Sequence, residues 1–175
     1  IREAVLAYGS LDILVNNAAT ELTKPLAECT LQDFADVIDT NLRGYFLATV
    51  HALEIMRARQ RGVILNVNSV ASEHPVPGTG LYSMAKGAVR QLTKATALEH
   101  AREGIRANEI NPGLIQTEIF ADPTAAKVAA AGVEQTPIGR IGTPQEVAYA
   151  AVYLVSDRAS FTTGASLLID GGLTI

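Results

Sequence analysis

Residues 62–86 read GVILNVNSVASEHPVPGTGLYSMAK. Gly62 interrupts a preceding helical pattern, and Val63–Val67 is a short branched apolar run that predicts a strand. Asn68–Gly80 holds two prolines and two glycines and predicts a loop. Leu81 to about Ala101 then returns to helical spacing until Gly104 ends it. A strand, a loop and a long helix in that order make half of a βαβ unit, which calls for a parallel partner strand.

The flanking sequence repeats the pattern. On the C-terminal side, Ile105–Ile110 predicts a strand, with Asn111-Pro112-Gly113 as a turn at its end. Residues 117–135 are Ala-rich without a clear periodic face and predict one or two short helices forming a mobile flap. Thr143-Pro144 starts another helix, an N-cap Thr followed by Pro at the first helical position. Ser166–Ile169 predicts a last strand, closed by Asp170-Gly171-Gly172. On the N-terminal side, Leu11–Asn16 (LDILVN) is apolar without strict alternation, as expected for a strand covered on both faces. Thr30 is a good N-cap with Asp33 at the third helical position, and Phe34, Val37, Ile38 and Leu42 carry the helix on to about Arg59. The chain is read as one α/β domain over residues 1–175. It opens with Ile1, and Ile1–Tyr8 looks like the end of a helix already under way, so a preceding segment is expected.

Bulk properties narrow the function classes. Apolar residues make up 48% and charged residues 18%, the balance of a globular chain rather than a disordered one. The net charge of -4 argues against nucleic acid and anionic membrane as partners, and the densest basic stretch, Arg57–Arg61, reads as a solvated helix end. The single cysteine, Cys29, excludes an intrachain disulfide and reads as a packing residue. No apolar run approaches the ~18 residues of a membrane helix and no leader pattern is present, so a cytoplasmic protein is expected. His51, His74 and His100 are isolated, no carboxylate pairs with any of them at ligand spacing, and no metal site is expected.

The chemistry concentrates near the opening stretch. Tyr82 and Lys86 stand four residues apart on one helix and share a face. A phenol with an ammonium beside it is more easily ionised, so it can give a proton to a carbonyl oxygen or take one from an alcohol. The bland alternative is a solvated helix face. Ser69 follows the strand at its C-terminal end, where ligands collect in open α/β sheets, and its hydroxyl could hold the oxygen that Tyr82 protonates. Asn41 lies mid-helix, where Asn is a poor helix former, and reads either as part of the site or as an inconsequential exposed residue.

These residues resemble the short-chain dehydrogenase/reductase family along essentially the whole chain. Asn16-Asn17-Ala18-Ala19 is similar to its Asn-Asn-Ala-Gly segment, Asn41 to its catalytic Asn, and Ser69 with Tyr82 and Lys86 to its Ser and Tyr-x-x-x-Lys motif. Asn111-Pro112-Gly113 resembles the Pro-Gly turn under the nicotinamide, Ile115 and Thr117 the carboxamide contacts, and Gly164 with Asp170-Gly171-Gly172 the C-terminal signature. The resemblance implies a three-layer Rossmann-like parallel sheet with helices on both faces, of which this chain is the C-terminal two-thirds, lacking the first strands. It implies NAD or NADP as cofactor, contacted by Asn17, Ala18, Tyr82, Lys86, Pro112, Gly113, Ile115 and Thr117. Tyr82 would be the general acid/base and Ser69 would orient the substrate. Lys86 would lower the pKa of Tyr82 and hold the ribose, and Asn41 would hold a water of a proton relay. A homotetramer through the long helices is also implied.

Ala19 and Asn68 depart from the family's usual Gly and Ser or Gly, and the Gly-rich pyrophosphate turn is not found. Gly78-Thr-Gly80 is not a substitute, because it lies in the loop before the catalytic helix. The expected substrate is a secondary alcohol or carbonyl compound. Glu21, Ser69-Val-Ala-Ser-Glu73 and Phe120-Ala-Asp-Pro123 resemble the glucose 1-dehydrogenase branch, with 3-oxoacyl carrier-protein reductases as the near alternative. A truncated, non-catalytic fragment is a third reading.

Overall fold

The computed structural model describes residues 1–117 and 131–175. In chain order it contains α1 (Arg2–Tyr8), β1 (Ile13–Asn16), α2 (Leu31–Ile38), a π-helical turn (Asp39–Arg43), α3 (Gly44–Arg59), β2 (Gly62–Val67), α4 (Gly80–His100), β3 (Ile105–Pro112), α5 (Pro144–Val155) and β4 (Ser166–Ile169). All four strands run parallel in the order β1-β2-β3-β4. Helices α3 and α4 cover one face, where Ala52, Met56 and Ala97 pack on Ile64, Ile105 and Ala107. Helix α5 covers the other, with Leu154 packed on Leu65 and Ile110. The three-layer arrangement is the one the sequence implied.

Local signals act as read. Thr30 Oγ1 accepts the Asp33 N–H at 3.1 Å and the Asp33 carboxylate accepts the Thr30 N–H at 2.7 Å, closing a capping box. Thr143 and Glu146 repeat the device at α5, with Pro144 at the first position. Cys29 packs at the margin of the Val37, Leu81 and Ala85 cluster, as a packing residue should.

Two expectations need correction. The helix from Thr30 to Arg59 is not uniform: at Asp39–Arg43 it widens into a π turn, in which the Gly44 N–H returns to the Asp39 carbonyl. The extra residue turns Asn41 inward, where it is fully buried. Likewise β1 is not covered on both faces. It is an edge strand, Leu14 and Asn16 face α3, and Ile13 and Val15 on the other side are 43% and 47% exposed. The flap expected over 117–135 lies largely outside the described residues; of it, 131–135 are helical.

Paired residues of parallel strands point to the same face, and one rung of this sheet is polar from edge to edge. Asn16 pairs with Asn66, Asn66 with Glu109, and Glu109 with Ser166.

Candidate active site

The strands deliver their C-terminal ends to one side of the sheet, and the loop residues singled out in the sequence lie at or beyond those ends. Asn17 and Ala18 follow β1 and are exposed, Ser69 follows β2, and Pro112 and Gly113 close β3. Ile115 is half-buried and bridges to Gly142, while Thr117 is exposed. A Cβ at Gly113 would stand 2.9 Å from the Asp170 Cβ, so the Pro-Gly turn and the Asp-Gly-Gly end approach too closely for a side chain. At the other candidate, Cβ atoms at Gly78 and Gly80 would meet Thr23 at 3.2 Å and Leu26 at 3.4 Å. Those two glycines therefore serve loop packing.

Helix α4 carries Tyr82 and Lys86 on the face turned to the sheet. Lys86 is 1% exposed, and its Nζ donates to the Val67 carbonyl at 3.0 Å. The ammonium lies 5.7 Å from the centre of the Tyr82 ring and 5.1 Å from that of Tyr45. The Tyr45 hydroxyl donates to the same Val67 carbonyl at 3.0 Å, so one oxygen anchors both side chains. Sequence reading missed Tyr45. Its only signal is helical spacing with Thr49, Ala52 and Met56 on the buried stripe of α3.

Burial pushes the Lys86 ammonium down to about 8, while the charge of Glu109 acts in the opposite sense. Burial also raises Tyr82; Ser69 works against that rise and the Glu21 carboxylate adds to it. The expectation that Tyr82 ionises more easily than a free phenol is therefore corrected. The protonated phenol is the resting form at neutral pH, and beside it Lys86 retains most of its charge. Ser69 Oγ accepts the Ala71 N–H at 3.1 Å, which fixes the short turn Val70–Ser72 and with it the hydroxyl.

Asn41 is not an inconsequential exposed residue. Its Oδ1 accepts the Thr20 N–H at 2.9 Å and its Nδ2 donates to the Thr20 carbonyl at 2.7 Å, clamping the loop that carries Asn17 and Ala18. Each end of the amide thus makes one bond to backbone, which fixes the orientation of the side chain.

The site also tests a dinucleotide by fit. Lys86 has three N–H donors, and among the described residues only the Val67 carbonyl receives one. A buried ammonium with two free donors at the carboxyl edge of a parallel sheet fits the hydroxyls of a ribose. Among the described residues no group of three or more His, Cys, Asp or Glu could hold a metal. The histidines are less isolated than the sequence suggested: His100 Nδ1 lies 2.7 Å from a Glu103 oxygen, one helical turn away. No helix among the described residues is long and apolar enough to cross a membrane.

Comparison with known proteins finds relatives along nearly the whole chain. A family model described as enoyl-(acyl carrier protein) reductase matches residues 1–174. A 3beta-hydroxysteroid dehydrogenase 1 of Eggerthella lenta is 40% identical over 98% of this chain and 67% of its own length. Glucose 1-dehydrogenase 2 of Bacillus subtilis is 39% identical over 96% of this chain and 66% of its own. A gluconate 5-dehydrogenase from Burkholderia cenocepacia, solved in complex with NADP and tartrate, superposes with a TM-score of 0.92 at 37% identity. That alignment covers 99% of this chain and 68% of the solved one. The chain thus spans about two-thirds of the length of the relatives it matches.

Proposed function

The chain belongs to the short-chain dehydrogenase/reductase family, and we propose that it transfers a hydride between NAD or NADP and a secondary alcohol or the matching carbonyl compound. The observation that carries this reading is the buried Lys86 ammonium 5.7 Å from the Tyr82 ring, at the edge of the sheet where the loops converge.

The nicotinamide, when bound, supplies or accepts the hydride. In the reducing direction the Tyr82 phenol gives its proton to the carbonyl oxygen, and the phenolate left behind is stabilised by the Lys86 ammonium. In the oxidising direction the phenolate takes the alcohol proton. The Ser69 hydroxyl holds the same oxygen and donates to it as charge develops. Lys86 would also hold the ribose with its free donors. Asn17 and Ala18, on the loop clamped by Asn41, together with Pro112, Gly113, Ile115 and Thr117, would hold the nicotinamide end.

A polyol or sugar is the favoured substrate class, supported by the glucose and gluconate dehydrogenases among the relatives. A homotetramer in the cytoplasm completes the proposal. Its support is the apolar exterior of the long helices, where Phe34, Phe46, Leu47 and Met84 are all 44% to 50% exposed. The first experiment titrates NADH and NADPH into the 175-residue chain by nicotinamide fluorescence and then assays sugars and alcohols. Micromolar binding with turnover supports the reading. Binding without turnover on any alcohol, or no binding at all, overturns it for this chain.

A further inference from the structure

Glu109 occupies the middle of β3, is 1% exposed, and has no part in the proton transfer described above. Five side chains converge on its carboxylate. Ser166 Oγ at 2.8 Å and Asn111 Nδ2 at 3.2 Å donate to Oε1. Asn68 Nδ2 at 2.9 Å and Thr93 Oγ1 at 3.4 Å donate to Oε2. The Arg90 guanidinium lies 3.7 Å from Oε1 and pairs at its other end with Glu73. Asn68 immediately precedes Ser69, and it spends its amide donor on Glu109 although its own Oδ1 is buried without a partner. On the far side of Ser69, Ser72 Oγ donates to Asn111 Oδ1 at 3.2 Å, and Glu73 is held by Arg90. The turn bearing Ser69 is therefore tied back to one carboxylate from both directions.

We propose that Glu109 is a positioning residue for the hydride-transfer reaction: one buried charge that holds the Ser69 turn from both sides and supplies the negative charge on the Lys86 side of the sheet. The role rests on the reading of Tyr82, Lys86 and Ser69 given above. A buried carboxylate is costly unless hydrogen-bonded and paired, and this one is both. Its field also reaches the site, since the Glu109 charge favours the Lys86 ammonium against the burial that disfavours it. Among the described residues, the other charged or titratable groups around Lys86 are Arg90 and Tyr82 from its own helix and Tyr45 from α3. Lys86 and Arg90 stand one helical turn apart on α4 and Arg90 reaches Glu109, so loss of the Glu109 charge is expected to lower Lys86 and loss of the Arg90 charge to raise it. Those shifts report the charge that Glu109 places on the Lys86 side of the sheet, separately from its hold on the Ser69 turn.

The test follows the Lys86 Nζ titration by NMR on lysine-labelled 175-residue chain, assigned with Lys86→Arg. In Glu109→Gln the midpoint falls by about 1 pH unit or more, and in Arg90→Gln it rises. An unmoved or raised midpoint in Glu109→Gln overturns the role. Should that variant not fold, an unmoved midpoint in Arg90→Gln does the same. Asn68→Ser tests the tether without touching the charge. Amide exchange at Ala71 speeds up about tenfold if Glu109 holds the turn through Asn68, and an unchanged rate sinks the tether. Titration shifts as expected in a chain that shows no cofactor-dependent turnover would refute hydride transfer while leaving the Glu109 network standing. Turnover with Lys86 unmoved would do the reverse.

Discussion

The two faces of this sheet are built from alternate residues of the same strands, yet their polar side chains bond differently. Toward α5, Arg106 donates to the carbonyls of Leu154, Ser156 and Thr162, and Asn108 donates to Thr162 and accepts from the Ala165 N–H. All of these partners are backbone, which is the usual destination of side-chain hydrogen bonds. Toward α3 and α4, by contrast, the side chains of the strands bond to other side chains. Asn16 Nδ2 donates to Asn66 Oδ1 at 2.8 Å, and Asn66 Nδ2 donates to Thr93 Oγ1 at 2.8 Å. From there the chain passes to Glu109 and Ser166. Side-chain networks of this kind are a small minority of protein hydrogen bonds, and they fix geometry more tightly than apolar contact can. The α5 face is thus a scaffold whose polar groups tie down loops. The α3–α4 face is apolar at the amino ends of the strands and becomes polar toward the end where Tyr82, Lys86 and Ser69 lie.

The largest effect expected from breaking that contrast is on chemistry alone. Tyr82→Phe removes the proton donor without emptying the polar face, so turnover should drop by about 10²- to 10⁴-fold with the thermal transition nearly unmoved. A variant that keeps its rate would take Tyr82 out of the reaction. Next in size is packing, where the faces should behave alike. Ile64 and Leu65 are both 0% exposed on opposite sides of β2, and either one changed to Ala should cost about 2–5 kcal/mol by urea unfolding. A much smaller loss at Leu65 would mean that α5 is only loosely docked.

A third effect separates the faces by pH. Burial holds Lys86 down to about 8 in the folded chain against the ordinary lysine value of 10.5, so between these limits the unfolded state binds more protons. Stability should therefore rise as pH increases from about 8 to about 10, by on the order of 2 kcal/mol, before the raised Tyr82 and Tyr45 oppose it. Lys86→Met should flatten that slope, measured by melting temperature across the window. The smallest effect is at Val15, on the bare side of β1. Val15→Thr should leave stability within about 0.5 kcal/mol while lowering self-association in light scattering.

Much of this was legible from residues near one another in the chain. The Thr30–Asp33 and Thr143–Glu146 boxes need only a three-residue reach, and the Tyr82–Lys86 pair needs only a turn of helix. Strand identities were legible to within two residues, because Gly62, Gly104 and the Asn-Pro-Gly turn mark their ends. What was not legible depends on pairing. The rung Asn16, Asn66, Glu109 and Ser166 exists only once strand register is set, and a slip of one residue would send it to the α5 face. Glu109 did leave a trace, an acidic residue inside the otherwise uncharged stretch Ala107–Pro112, which an edge-to-edge polar rung explains. The depressed Lys86 and raised Tyr82 follow from burial depth, which periodicity does not report. The π turn at Asp39–Arg43 has no local signature beyond an awkwardly placed Asn.

That turn works as a gear. One residue added to a helix advances everything after it by about 100°, so α2 and α3, though continuous along the chain, are out of phase. Val37 is set toward Leu81 and Ala85 of α4, while Ala52 and Met56 are set onto the sheet. Deleting a single residue from 39–43 would restore a regular helix and swing one of those two surfaces away from its partner. Apart from Asn41, which clamps the Thr20 loop, this stretch should therefore accept exchanges of side chain but no change in length.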